Sequence, residues 1–209
     1  MSALPFTPMH AATGENALDA EASVQASSTA LAKKRYPQAL EALAPALRLR
    51  PSDPSVLNLK GAILTRMKDY SGAEACYEEA LKVSPGYFPA LYNIGALLAL
   101  QEKWDPAITY YRNLLIDNPN NELLQYKLLL LLLRTDSAPA LQAKLFASDT
   151  PSNTPAWYYA SAARAYKKGD KAEAARYLDV AGSVYRDKTE IFQEELEESG
   201  LTASTPSKK

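Results

Sequence analysis

Few residues in this chain could make or break bonds. His10 is the only histidine and Cys76 the only cysteine. A serine or cysteine nucleophile needs an imidazole to take its proton, and a zinc site needs several histidine or thiolate ligands. With one residue of each type, a triad, a dyad or a His-based metal site lacks its central members. Cys76 has no internal disulfide partner and sits in a segment where it packs as a small apolar residue. Glu74 and Glu78 fall on the outer face of that segment, without the pairing that acid–base catalysis requires. The expectation is a protein without catalysis, cofactor or metal.

What remains suits the holding of another molecule. Tyr92, Tyr126 and Tyr159 recur at spacings of 34 and 33. Tyrosine presents a large apolar body and a hydroxyl, and it loses few rotamers on burial. Asn93 carries an amide that both donates and accepts. Lys127 and Arg134 bracket six consecutive leucines, residues 128–133. That run is far shorter than the ~20 apolar residues a membrane-spanning helix needs. Lys and Arg number 23 against 24 Asp and Glu, a net charge of −1, whereas a nucleic-acid binder draws most of its affinity from basic excess. Nucleic acid and a membrane span are therefore not expected. At 209 residues and 47% apolar, the chain is long and apolar enough to bury a core.

The tyrosine spacing belongs to a repeat. Pro51, Pro85 and Pro119 lie 34 apart, as do Ala39, Ala73 and Ala107, and the aromatics Tyr36, Tyr70 and Trp104. Leu43, Tyr77 and Tyr111 keep the same phase, and so do Leu64, Leu98 and Leu132. Each unit reads as two helices. In residues 57–85, Leu57, Gly61 and Leu64 share one helical face, the turn Lys68-Asp69-Tyr70 follows, and Ala73, Tyr77, Ala80 and Leu81 form the buried stripe of a second helix. Pro85 stops it. One such pair cannot bury its own apolar faces, so pairs must stack.

Residues 91–119, with Leu91, Ile94, Gly95 and Leu98 and then Trp104, Ala107, Tyr111 and Pro119, resemble the tetratricopeptide repeat family. Residues 54–87 match equally well. The resemblance implies an all-α, right-handed α-solenoid of about five antiparallel helix pairs. Its repeats fall at about 20–53, 54–87, 88–121, 122–154 (degenerate) and 155–188, within a domain spanning 17–200. The fourth unit has a second helix, residues 138–147, without the family's alanine and aromatic positions. Residues 149–155 are rich in turn formers and read as a loop. Residues 189–200 read as a C-terminal capping helix, with Ile191, Phe192 and Leu196 among outward-facing glutamates. Residues 1–16 and 201–209 are expected to be disordered tails.

The resemblance also implies a groove on the concave face, lined by the first helix of each pair. That frame assigns partner contact to Asn58, Arg66, Tyr92, Asn93, Tyr126, Lys127, Leu130, Leu133, Arg134, Tyr159 and Lys167. Asn93 stands where peptide-binding members of the family often place an asparagine. A carboxylate clamp is incomplete, because Leu123 and Ala62 stand where the lysine and asparagine of such a clamp would be. Six consecutive leucines point in every direction around a helix, so either something covers Leu130 and Leu133 or they form an apolar patch. The resulting expectation is a scaffold or adaptor that binds a protein or peptide in the groove. A chaperone or assembly factor shielding an apolar segment, or self-association through the groove, stands beside it. With no basic stretch ahead of an apolar one at the N-terminus, the default compartment is the cytoplasm.

Overall fold

The computed structural model describes residues 9–147 and 154–202, with side chains except at residues 9–16 and 187. Its helices, in chain order, are α1 (Met9–Ala32), α2 (Tyr36–Leu49), α3 (Pro54–Arg66), α4 (Tyr70–Val83), α5 (Phe88–Leu100) and α6 (Trp104–Asp117). There follow α7 (Glu122–Thr135), α8 (Pro139–Lys144), α9 (Pro155–Lys168), α10 (Lys171–Tyr185), a 3₁₀ turn at Arg186–Lys188, and α11 (Glu190–Glu198). No strand occurs among the described residues. The fold is all-α, and consecutive helices pack as pairs, α1 with α2, α3 with α4 and α9 with α10. The chain forms two compact units, Met1–Leu97 and Leu98–Lys209.

The period is written into the backbone as well as the side chains. Between the two helices of successive pairs the chain turns through a left-handed residue: Lys34 (φ 57°), Lys68 (φ 64°), Glu102 (φ 58°), Asp136 (φ 53°) and Gly169 (φ 82°). The intervals are 34, 34, 34 and 33 residues. Only the last is glycine, the residue that adopts this conformation without a Cβ penalty. Short polar side chains start several of the helices, two of them directly after such a turn. Asp69 accepts from the Gly72 amide, Asn121 from Leu124 and Asp170 from Glu173, each satisfying a first-turn N–H that has no partner inside the helix.

In the first unit the core lies between pairs. Ala39, Leu43, Ala46, Val56 and Ile63 pack together, and Leu57, Leu64, Tyr77, Ala80, Ala90 and Leu97 form the next layer. Gly61 explains why α3 and α4 approach so closely: a Cβ there would stand 2.5 Å from Cε1 of Tyr77. The Tyr77 hydroxyl meets Thr65 Oγ1 at 3.0 Å. Arg50 fastens α2 back onto α1, donating to the Ala17 carbonyl at 2.8 Å.

Two expected boundaries read differently. α1 begins at Met9, whereas the sequence reading starts the domain at residue 17. After Pro8 no proline interrupts the stretch, and its alanines favour helix strongly enough to carry Gly14, which costs about 1 kcal/mol. The second helix of the fourth pair shrinks from the expected 138–147 to Pro139–Lys144. Positive φ at Ala138 and at Phe146 bounds it on either side. The terminal stretches 1–8 and 203–209, and most of the expected loop at 149–155, lie outside the described residues.

Candidate functional site

The sequence places the candidate contact residues on first helices, and the two units treat that face differently. In the first unit α3 and α5 lie side by side there. Asn93 Nδ2 on α5 donates to Asn58 Oδ1 on α3 at 2.9 Å, so the two amides join across adjacent first helices. Both residues are half-buried. The bond uses one donor of Asn93 and one acceptor of Asn58, and the pair retains capacity of both kinds. Arg66 is exposed at the end of α3. Tyr92 is buried, its ring centroid 6.2 Å from that of Phe88 one helical turn earlier.

In the second unit the same face is filled by the chain itself. α11 packs on both α7 and α9. The Phe192 ring lies 5.5 Å from that of Tyr126, edge to face, and stacks on Tyr159 at 5.9 Å. The Tyr126 hydroxyl donates to the Phe192 carbonyl at 3.3 Å. One turn further along α11, Glu195 accepts from the Lys127 ammonium in a buried ion pair. At the end of the helix Arg134 donates to the Ser199 carbonyl at 2.6 Å. Arg134 also lies over the Trp104 ring, 4.7 Å from its centroid. Leu196 completes the buried face of α11. Lys167, at the end of α9, pairs with Asp136 at 2.8 Å.

These contacts correct part of the expected groove. Tyr126, Lys127, Leu130, Leu133 and Tyr159, assigned above to a partner, are all buried, as is Tyr92 in the first unit, none more than 8% exposed. The outer face of the capping helix is likewise not wholly solvated, because Glu195 is drawn inward by Lys127. The physical reason is the leucine run. A helix apolar all round must be covered all round, and every leucine from 128 to 133 is buried. Burial also acts on Tyr126: desolvation first, then the nearby Glu195 carboxylate, holds its phenol well above the usual range. Tyr111 is raised for the same two reasons, in the same order.

Sequence reasoning did not select Phe192, Glu195 and Leu196 as site residues. The signal was present in two places. One is an acidic helix carrying an apolar residue and another four positions on. The other is a leucine-rich helix that needed a cover.

Residues 54–87 match the family model of the tetratricopeptide repeat. Among solved structures, a tetratricopeptide repeat protein from Parabacteroides merdae superposes with a TM-score of 0.65 at 19% identity, over 87% of this chain and 70% of its own. The chain has the tetratricopeptide fold. A second similar structure is that of PilF from Pseudomonas aeruginosa, with TM-score 0.61, 19% identity and coverage of 90% of this chain and 89% of that one. A third, YrrB, is described as a tetratricopeptide protein with an unusual peptide-binding site; it gives 0.50 at 19% identity, over 90% and 98% of the two chains. No curated protein matches in sequence. Tetratricopeptide repeats make protein–protein interaction scaffolds, because side-by-side first helices present an extended surface. Among the described residues no helix is long and apolar enough to cross a membrane.

Proposed function

We propose that this tetratricopeptide protein is a non-catalytic binding module that holds an extended segment of another protein against the first helices of its N-terminal unit. The observation that carries the reading is the Asn58–Asn93 amide pair, half-buried and bridging adjacent first helices. An extended peptide exposes alternating N–H and C=O groups, and an amide that can both donate and accept satisfies either at little conformational cost. Half-burial matters because it fixes the amides before the peptide arrives, so less ordering opposes binding. The described peptide-binding site of YrrB, a chain of similar fold, supports the class of ligand without fixing its sequence.

The reading in which an apolar groove shields a client, as a chaperone would, drew on Leu130 and Leu133, and both are buried under their own chain's packing. The N-terminal face is the better candidate for that reason. Peptide display selection on the immobilised full-length chain tests it. Enriched peptides should bind wild type and lose at least tenfold in affinity to Asn58→Ala/Asn93→Ala, with helical content and melting unchanged. Enriched peptides that bind the double variant equally would remove these amides from the site.

A further inference from the structure

We infer that the face of α7 and α9 is a receptor for a short acidic amphipathic helix of another protein, and that α11 is its built-in competitor. This inference rests on the chain being a polypeptide-binding module, but it concerns the other unit. Its failure would leave the Asn58–Asn93 test untouched.

The docked helix states what the face selects. An aromatic ring packs on Tyr126 and Tyr159, which also meet each other edge to face at 6.3 Å, a carboxylate three residues later meets a buried lysine, a leucine follows it, and the helix terminus meets Arg134. Charge complementarity points the same way. Lys127 and Arg134 are the cations that meet the C-terminal segment here, and α11 carries Glu190, Glu194, Glu195, Glu197 and Glu198 without one basic residue. A cation at a helix C-terminus also favours the exposed carbonyls there. Lys127 is 7% exposed, and a buried lysine needs a carboxylate opposite it whichever chain supplies that carboxylate.

α11 is also built to leave. It has nine residues, too few to hold a helix unaided in water. It reaches the face through a 3₁₀ turn that begins at Arg186 with φ 43° and ψ −112°, a conformation that a non-glycine residue adopts only under strain. It follows the last repeat helix in the chain and belongs to none of the helix pairs. A buried ion pair contributes specificity more readily than stability, so a helix of matching pattern can exchange with it. The tether supplies an effective concentration of order millimolar, and a free helix must compete against that.

A labelled peptide of residues 189–202 is the probe. Full-length Phe192→Ser/Leu196→Ser, which removes the docking face of α11 but no residue of α7 or α9, should bind it at least tenfold more tightly than wild type. An unrelated acidic helix that keeps only the Phe-x-x-Glu-Leu spacing should bind the same variant within tenfold of the probe, and its Glu→Lys form should not. Equal binding to variant and wild type, or none to a variant that melts cooperatively with wild-type helicity, overturns the inference. So does binding by residues 189–202 alone, because the face then accepts only its own helix. Should the variant fail to fold, a protease site inserted between Asp187 and Lys188 of the folded wild-type chain answers the question. After cutting, α11 should dissociate on dilution and the remaining chain should take up the probe. Permanent retention of the cut helix, or loss of helicity on its release, would make α11 part of the core and overturn the inference equally.

Discussion

Gly61 and Tyr77 show how one position sets a repeat. The missing Cβ lets α4's tyrosine lie flat against α3, and the added atom of Gly61→Ala would meet the ring at 2.5 to 2.9 Å. Tyr77 is 2% exposed, and its hydroxyl is held by Thr65 Oγ1 at 3.0 Å, so the ring cannot swing away without giving up that bond. Gly61→Ala should therefore destabilise the chain by roughly 1–3 kcal/mol, measured by urea unfolding, even though alanine is the better helix former. The left-handed turn residues act in the opposite sense. A non-glycine residue there costs about 1 kcal/mol, so Lys68→Gly should raise stability by up to about 1 kcal/mol. Gly169→Ala, at the same point of the last pair, should lower it by a similar amount. A loss on Lys68→Gly would show that the lysine side chain makes contacts that outweigh its backbone strain.

Among the elements, α11 covers part of the first-helix face of the C-terminal unit, packing on α7 and α9. Removing the carboxylate of the Lys127–Glu195 pair leaves a buried ammonium, normally a cost of about 3–5 kcal/mol. Here the cost is capped by the free energy of docking, since an undocked helix lets water reach Lys127. Glu195→Ala should therefore abolish hydrogen-exchange protection in α11 while sparing α9 and α10. Lys127→Met/Glu195→Leu should restore that protection, because two apolar side chains of similar size replace the pair. Continued protection in the single variant would mean that Phe192 and Leu196 alone secure the helix. The same element measures what the sequence could convey. Repeated Pro, Ala and aromatic columns make α3, α4 and α6 legible because packing within a pair is local and periodic. Docking of α11 is neither. It joins residue 195 to residue 127, and although their separation of 68 is twice the repeat, residue 195 lies beyond the last repeat, so no repeated column includes it. The leucine run announced that a cover was needed without naming the segments that would provide it. The short α8 escaped for a related reason: its bounds are set by positive φ at Ala138 and Phe146, which neither residue type announces.

At the scale of the whole molecule, tyrosine supplies much of the large buried side-chain volume, with Tyr77, Tyr111 and Tyr126 fully enclosed. That choice makes the fold sensitive to alkali. Burial raises Tyr77 from 10.0 to about 12 and raises Tyr111 and Tyr126 well above their ordinary value. Above pH 10 the native chain then binds more protons than the unfolded one. Stability should be undiminished by these groups below pH 10. It should fall between pH 10 and 12 by about 1.4 kcal/mol per pH unit for each tyrosine involved. Thermal melts across that range check it, and a flat profile would show that these rings reach water in the native state. The central claim, that the chain's own C-terminal helix occupies the first-helix face of the second unit, has a more direct test. Nuclear Overhauser spectra of the full-length protein, with Phe and Tyr rings selectively labelled, should show cross-peaks from Phe192 to both Tyr126 and Tyr159. Their absence, with the two tyrosine rings open to a soluble paramagnetic probe, would contradict it.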